Sequence, residues 1–147
     1  MPLRKPQAVI FDLDGTLCDC AHRQHFMQSR PKMREEFHAA CIDDGVNPAV
    51  KKLLDFAVLG DCRIVLLSHR FKAQTTEWLK KNHIVYDQLI LSLYPELTDP
   101  QFKLKMYKEL IEPFYEVLFV VDDRDSVVAM WRDLGITCFD VAGNHFS

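Results

Sequence analysis

The chain has 147 residues, of which 48% are hydrophobic and 27% are charged, a composition that predicts a single globular domain over residues 1–147. The formal net charge of −3 argues against a broad, non-specific coating of nucleic acid, although a local basic groove is compatible with it. No apolar stretch approaches the length of a membrane span and no secretory signal is evident, so we expect a cytoplasmic protein that does not contact a membrane. We therefore expect the five cysteines to be reduced thiols.

Short apolar runs alternate with helical patterns along the chain, which is the order that βαβ units require. The predicted strands are residues 7–11, 63–67, 88–91, 117–121 and 137–141. The predicted helices are residues 47–59, 71–82, 99–111 and 125–134. In the first and third of these helices a capping side chain, Asn47 or Asp99, precedes a proline. The fold class is therefore α/β, a Rossmann-like open sheet of about five mainly parallel strands with helices on both faces.

The segment 18–46 fits neither a crossover helix nor a short loop. It carries two helix-like patches, residues 21–29 and 31–41, and directly follows the first strand. An insertion there would overhang the end of the sheet where ligands collect, so we interpret it as a small helical cap. The apolar residues of its second patch predict packing against the body of the protein. On the residues alone, Arg23 is better explained as a solvated charge than as an anion-binding group.

Two carboxylates, Asp12 and Asp14, follow the first buried strand directly. An ordinary Asp-Gly turn would explain this pair if it stood alone. A second acidic pair, Asp122 and Asp123, ends another buried strand. Like charges that lose hydration together need a cation or a shared proton, and clustered carboxylates offer the hard oxygen ligands that Mg²⁺ prefers. The two pairs therefore predict a Mg²⁺ site.

Two further features suit the binding of a phosphoryl group. Ser68 ends the second strand just before a predicted helix, where its hydroxyl and free backbone N–H groups can donate to phosphoryl oxygens. A helix cap explains Ser68 equally well. The helix before the fourth strand carries Lys103, Lys105 and Lys108, any one of which is ordinarily part of a solvated face.

The order of Asp12-Leu13-Asp14-Gly15-Thr16, Ser68, a lysine and Asp122-Asp123 resembles the four motifs of the haloacid dehalogenase superfamily of phosphatases, over nearly the whole chain. A closer resemblance is to the 3′-phosphatase domain of phage-type polynucleotide kinase-phosphatases. It rests on residues 9–17 and 46–48, on Ser68 with Arg70, and above all on residues 121–135 and 140–143.

In this resemblance the motif lysine falls on Lys103, and Arg23 falls where the family has an arginine important for the phosphatase. Two departures stand out. His69 takes the place of a usual glycine beside Ser68. No Gly-x-x-x-x-Gly-Lys-Ser/Thr loop occurs, so we expect no kinase domain in this chain.

The resemblance implies a Mg²⁺-dependent phosphomonoesterase that acts through an aspartyl-phosphate intermediate. Asp12 would attack phosphorus, while Asp14, protonated in the first step, would act as general acid and later as general base. The implied metal ligands are Asp12, the main-chain carbonyl of Asp14, and the acidic pair, in which Asp123 is favoured over Asp122 as the direct ligand. Ser68, Lys103, Arg23, Arg70 and Thr16 complete the implied set as groups that contact the substrate.

The substrate that the resemblance favours is the 3′-phosphate of a polynucleotide end, since a small cap leaves the cleft open to a polymer. A phosphatase of free nucleotides or another small phosphomonoester is the alternative, which the acidic net charge and the missing kinase loop keep open. A catalytically silent binding module is a second alternative, against which the complete set of motif residues argues. The sequence favours no particular protein partner.

Overall fold

The computed structural model describes residues 4–70, 72–92 and 94–141, without the side chains of residues 38, 72 and 73. In chain order its strands are β1 (Gln7–Phe11), β2 (Cys18–Asp19), β3 (Gly45–Val46), β4 (Arg63–Ser68), β5 (Gln88–Leu91), β6 (Glu116–Asp122) and β7 (Cys138–Asp140). Its α-helices are α1 (His25–Gln28), α2 (Arg34–Ala39), α3 (Pro48–Leu59), α4 (Lys72–Lys81), α5 (Asp99–Met106) and α6 (Asp125–Asp133). Five of these strands form one sheet in the order β5-β4-β1-β6-β7, and every neighbouring pair in it is parallel.

The central strand β1 is buried on both faces, which is why it reads as a continuous apolar run. Side chains alternate along a strand, so neighbouring residues face opposite sides of the sheet. Ile10 belongs to one core with Phe102 of α5 and Trp131 of α6. Phe11 belongs to a second core with Trp78 of α4. Helices therefore cover both faces, and the predicted α/β fold class is confirmed.

The predicted helices are present with shifts at their ends. Asn47 caps α3 as predicted, and its side chain accepts two backbone N–H bonds of the first turn. The prediction that Asp99 caps α5 is wrong, because Thr98 forms a reciprocal capping box with Gln101. After α5 the chain continues as one π-helical turn, Tyr107–Ile111.

Parts of two predictions lie outside the described residues. Phe71, the first residue of the predicted helix 71–82, lies outside the described residues, and the described helix α4 follows it. Residues 142 and 143, which end the second block of the family resemblance, are the others. The described end of that block is strand β7, which is shorter than the predicted strand 137–141.

The insert after β1 is closed at its base by the short antiparallel pair β2 and β3, which the sequence patterns did not indicate. Cys18 pairs with Val46, so the two ends of the segment 18–46 lie side by side. Between these strands the chain forms short 3₁₀ turns in addition to α1 and α2, so the two predicted helical patches are more broken than expected. Phe37 and Cys41 of the second patch are buried, whereas Met33 is exposed.

The cysteines are free thiols, and all except Cys62 are buried. Burial raises the pKa of Cys20 and of Cys138 to about 12, so both stay protonated at neutral pH. Among the described residues, no helix has both the length and the apolar character needed to cross a bilayer.

Candidate active site

The carboxyl ends of β1 and β6 lie side by side at the middle of the sheet, with Phe11 opposite Val121. The backbone N–H of Asp12 still donates to the carbonyl of Val121 over 3.0 Å. The two parallel strands therefore end at the same edge, and Asp12 emerges next to Asp122 and Asp123. This is the edge of an open α/β sheet at which ligands bind.

Three buried carboxylates, those of Asp12, Asp122 and Asp123, form the centre of the site, and one oxygen of each lies within 4.8 Å of the others. Burial raises the pKa of Asp12 well above its usual range, the charge of Asp122 raises it further, and Lys103 opposes both effects. Burial also raises the pKa of Asp123. Such a cluster is unfavourable unless positive charge compensates it.

Lys103 supplies part of this positive charge. Its Nζ donates to Asp12 Oδ1 over 2.9 Å and to Asp122 Oδ2 over 2.8 Å. Burial lowers the pKa of Lys103, but the two carboxylates outweigh burial and raise it, so the side chain stays charged. Lys105 and Lys108 instead form exposed ion pairs with glutamates one turn away. The structure therefore selects Lys103 from the three candidates.

Asp123 retains the oxygen best suited to bind a metal ion. Its Oδ2 is buried and receives no hydrogen bond from any described residue. Gly15, with φ near +80°, makes room for this carboxylate, because a Cβ at that position would overlap Oδ2. Both oxygens of Asp122, in contrast, already accept bonds, from Lys103 and from the backbone N–H of Asp123. The donor set fits Mg²⁺ with Asp123 as a direct ligand.

Thr16 is fully buried beneath this cluster. Its hydroxyl lies 3.1 Å from Asp12 Oδ2 and 3.2 Å from Asp123 Oδ1. A single hydroxyl proton serves one of these oxygens at a time. The structure thus shows Thr16 in contact with the carboxylates of Asp12 and Asp123, and its contact with the substrate stays a prediction.

Arg23 is fully buried, so the expectation of a solvated charge is wrong. One terminal nitrogen, Nη2, donates to Asp14 Oδ1 over 2.6 Å, and Nε and Nη2 donate to Asp44 over 2.8 Å each. Nη1 donates to the carbonyl of Phe37, and the guanidinium lies 4.3 Å from the centre of the Phe37 ring. The cap thus directs Arg23 inward, to the carboxylate end of the sheet.

Arg70 lies beside Arg23 and is also buried. Its Nη2 is 3.3 Å from Asp14 Oδ1 and 3.6 Å from Asp44 Oδ2. This nitrogen makes no hydrogen bond to a described residue, so it has capacity for an incoming anion. Asp14 therefore faces two guanidinium groups, which stabilise its charged form.

Asp44, which sequence reasoning missed, lies at the end of the cap and forms ion pairs with the two arginines. Its side chain is fully buried and also lies 2.8 Å from His22 Nε2. It is 21 positions from Arg23, and no local pattern indicates that the cap brings them together.

Asp99 is the second missed carboxylate. It accepts a hydrogen bond from His69 Nδ1 over 2.7 Å and pairs with Arg124 over 2.8 Å. Burial opposes its charged form, but the bond from His69 and the charge of Arg124 prevail and lower the pKa of Asp99. The His69 ring also stacks on Phe102 of α5, at 4.8 Å between ring centres. Thr98 and Gln101 have the spacing of a capping box, and this sequence signal could have shown that Thr98, and not Asp99, caps α5.

A polar cavity of about 40 Å³ lies over these groups. Its lining combines the expected and the missed residues: Asp12, Asp14, Ser68, His69, Asp99, Lys103, Asp122, Asp123 and Arg124. A second cavity of about 740 Å³ shares four of these residues: Asp14, His69, Asp99 and Arg124. The two spaces therefore adjoin. The small one suits a phosphoryl group, and the large one suits the rest of a substrate.

The fold and this acidic centre define a hydrolase of the haloacid dehalogenase type. An L-2-haloacid dehalogenase has the same fold, with a TM-score of 0.71 at 16% sequence identity, over 96% of this chain and 87% of that chain. The family model of the polynucleotide kinase PNKP phosphatase domain matches residues 6–146, and the chain belongs to that family. It is accordingly a phosphatase.

Two relatives are more similar in sequence than the dehalogenase. A chain in the structure of the Pnkp1/Rnl/Hen1 RNA repair complex has a TM-score of 0.81 and 33% identity, over 94% of this chain and 43% of that chain. A protein of Autographa californica nuclear polyhedrosis virus, named as a bifunctional polynucleotide kinase/RNA ligase, is 32% identical over 146 residues, which is 95% of this chain and 20% of the viral protein. The chain thus spans less than half the length of each of these two relatives.

Proposed function

We propose that this phosphatase removes the 3′-phosphate from polynucleotide ends, with Mg²⁺ and through an aspartyl-phosphate intermediate. The observation that carries the proposal is the adjoining pair of cavities: a phosphoryl-sized space over Asp12 that adjoins a groove large enough for nucleotides. Membership of the polynucleotide kinase PNKP phosphatase family supports the choice of substrate. The two relatives named for RNA ligation and RNA repair make RNA the first polymer to test.

Mg²⁺ would be held by Asp12, Asp123 and the main-chain carbonyl of Asp14, with Asp122 in support. When bound, it would neutralise charge on the phosphoryl oxygens and keep Asp12 ionised. The unpaired, buried Oδ2 of Asp123 supports this donor set. Lys103 keeps Asp12 and Asp122 in place through its two short hydrogen bonds.

In the first step a carboxylate oxygen of Asp12 forms a bond to phosphorus as the bond from phosphorus to the ribose 3′-oxygen breaks. Asp14 gives its proton to that leaving oxygen. In the second step Asp14 takes a proton from a water molecule that attacks the phosphorus, which releases inorganic phosphate and restores Asp12. Ser68 and Arg70 would donate hydrogen bonds to the equatorial oxygens.

The proposed mechanism needs a protonated Asp14, whereas Arg23 and Arg70 both stabilise the charged carboxylate. A bound phosphoryl group is an anion that competes for the same two guanidinium groups. If Arg23 and Arg70 also bind the phosphoryl group of the substrate, they would stabilise the Asp14 carboxylate less. This would favour the protonated form of Asp14. The general acid would thus become competent when substrate is present.

The experiment that tests the function is a phosphate-release assay with a matched set of substrates. It compares a 3′-phosphorylated oligoribonucleotide, its 5′-phosphorylated isomer, and 3′- and 5′-mononucleotides. We expect the highest kcat/KM on the 3′-phosphorylated oligonucleotide, because remote contacts supply transition-state binding that a small ester lacks. Preferred hydrolysis of 5′-mononucleotides would instead make the protein a nucleotidase, and no release from any substrate would favour a silent binding module.

A further inference from the structure

The larger cavity is a groove between the cap and the body of the protein, and we refer to it as the cap groove. The cap contributes Met27, Lys32, Arg34 and Phe37, and the segment between β5 and α5 contributes Pro95 and Leu97. Its volume of about 740 Å³ lies in the range of about 300–1,000 Å³ that is usual for ligand sites. It adjoins the phosphoryl site at Asp14 and His69, so it begins where a terminal phosphate would be held.

The cap groove carries a local excess of positive charge in an acidic protein. Four of its lining residues are lysine or arginine and two are aspartate, whereas the whole chain has 18 basic and 21 acidic residues. Arg70 and Arg124 form ion pairs with the two aspartates, Asp14 and Asp99. The other two basic residues of the lining therefore have no aspartate partner in the groove.

Those two cations are Arg34, the first residue of α2, and Lys32, two residues before it. Both are exposed, and in the part of the chain that the structure describes neither side chain forms a hydrogen bond or an ion pair with a described residue. Like Pro95 and Leu97, they line the groove. The small cavity over Asp12, where a phosphoryl group would be held, is lined by Ser68 and Lys103 but not by Lys32 or Arg34, so these two cations are available for other anionic groups.

Apolar side chains of Met27, Phe37 and Leu97 lie in the same groove as these cations. A lining that combines positive charge with apolar and aromatic surface is typical of channels for single-stranded nucleic acid, where cations follow the backbone and aromatic side chains stack with the bases. A small phosphomonoester would need neither feature beyond the phosphoryl site. The chemistry therefore matches a flexible polyanion with aromatic bases.

We propose that the cap groove binds the nucleotides that precede the 3′-terminal one in a single strand, and that Lys32 and Arg34 contact their phosphodiester groups; this rests on the proposed function. The two residues determine the preference for a polymer over a mononucleotide. They take no part in bond making, and they act on substrates long enough to reach them.

The test compares wild type with a Lys32→Ala/Arg34→Ala double variant on a length series of 3′-phosphorylated RNA: a nucleoside 3′-monophosphate and the di-, tetra- and octanucleotides. We expect kcat/KM of the wild type to rise with length and then level off. In the double variant we expect about a tenfold loss on the octanucleotide and no change on the mononucleotide. The negative slope of log kcat/KM against log salt should also become less steep by about 1.4, since each single-strand phosphate contact contributes about −0.7.

A Lys52→Ala/Lys80→Ala variant is the matched control, because it removes two exposed lysines that do not line the groove. It should keep the length dependence of the wild type. Circular dichroism and urea unfolding verify that all three proteins are folded.

The outcomes separate this inference from the function on which it rests. If wild type hydrolyses oligonucleotides but the double variant keeps the full length dependence, the inference is wrong and the function stands. The same holds if wild type shows no length dependence, or if the control variant loses as much as the double variant. If wild type hydrolyses mononucleotides and no oligonucleotide, the proposed function fails and the inference fails with it.

Discussion

Arg23 and Asp44 form a two-pronged ion pair that ties the cap to the reaction centre. Nε of Arg23 lies 2.8 Å from Oδ1 of Asp44, and Nη2 lies 2.8 Å from Oδ2. The same Nη2 donates to Asp14 over 2.6 Å. Asp44 therefore orients Arg23, and Arg23 contacts Asp14, the general acid of the proposed mechanism.

Removal of the Asp44 carboxylate should damage stability and catalysis together. Asp44→Ala leaves two arginines buried with less compensating charge, and the free energy of unfolding should fall by about 3–5 kcal/mol. Urea unfolding measures this loss, and Asp44→Asn, which keeps the shape, tests the catalytic role in a variant of better stability. We expect Asp44→Asn to lower kcat.

Asp55→Ala is the control for this prediction, because it breaks a partly exposed surface pair between Lys51 and Asp55 on α3. Such surface pairs contribute about 0.2–1 kcal/mol. A loss at Asp44 no larger than the loss at Asp55 would contradict the role given to the buried pair.

The acidic centre was predictable from sequence because it depends on local patterns and on one general property of parallel sheets. Asp12 and Asp123 each follow an apolar strand directly, and parallel strands end at the same edge. The choice of Lys103 needed the family resemblance, because three lysines share one helix and only the packing of α5 decides which of them faces inward. The metal, the substrate and the compartment remain predictions.

The arginine cluster could not be predicted from physical patterns alone. Whether Arg23 is buried depends on the folding of the cap, which brings Asp44 and Phe37 to it from later in the chain. Charge and hydropathy therefore led to the wrong prediction that the Arg23 side chain is exposed to solvent. Asp99 was assigned to the wrong role for a local reason, since Thr98 and Asp99 are both good capping residues and only one of them caps α5.

Asp12→Asn tests the nucleophile. The amide keeps the shape of the side chain but cannot attack phosphorus, so hydrolysis should fall to background. Folding should be retained, because the substitution removes a buried charge whose pKa is raised by burial. Steady-state phosphate release and circular dichroism check the two parts. Turnover above about a tenth of wild type would exclude Asp12 as the nucleophile.

Mg²⁺ should bind at Asp123 and stabilise the folded protein. A ligand that binds only the native state raises the unfolding temperature, so Mg²⁺ added after EDTA treatment should raise the Tm and restore activity. Asp123→Asn should abolish both responses. Asp133→Asn, at the exposed end of α6, removes a carboxylate outside the cluster and should keep them. An equal Tm shift in the two variants would place the ion elsewhere.

Asp99 should contribute to stability in a pH-dependent way. Its pKa in the folded protein is lower than the ordinary 3.8, owing to His69 and Arg124, which together outweigh burial. As pH falls, the unfolded chain therefore binds a proton before the native chain does. The stability that Asp99 contributes is complete above the ordinary pKa and is lost as pH falls through the folded pKa. Urea unfolding of Asp99→Asn should show a deficit at neutral pH that narrows below about pH 4, and a constant deficit would contradict this assignment.

Two glycines with the same backbone conformation provide the last test. Gly15 and Gly135 have φ near +80° and +79°, so alanine at either position should cost about 1–2 kcal/mol of stability. The surroundings differ, because a Cβ at Gly15 would overlap Asp123 Oδ2, whereas a Cβ at Gly135 meets no described atom within 4 Å. Gly135→Ala should therefore lose stability alone. Gly15→Ala should also displace the Asp123 carboxylate, lower kcat/KM on the order of 100-fold, as a displacement of about 1 Å in an active site can, and weaken the Tm response to Mg²⁺. If the two variants have equal kcat/KM, the position of Asp123 is not critical for catalysis, and the assignment of its Oδ2 as a metal ligand is wrong.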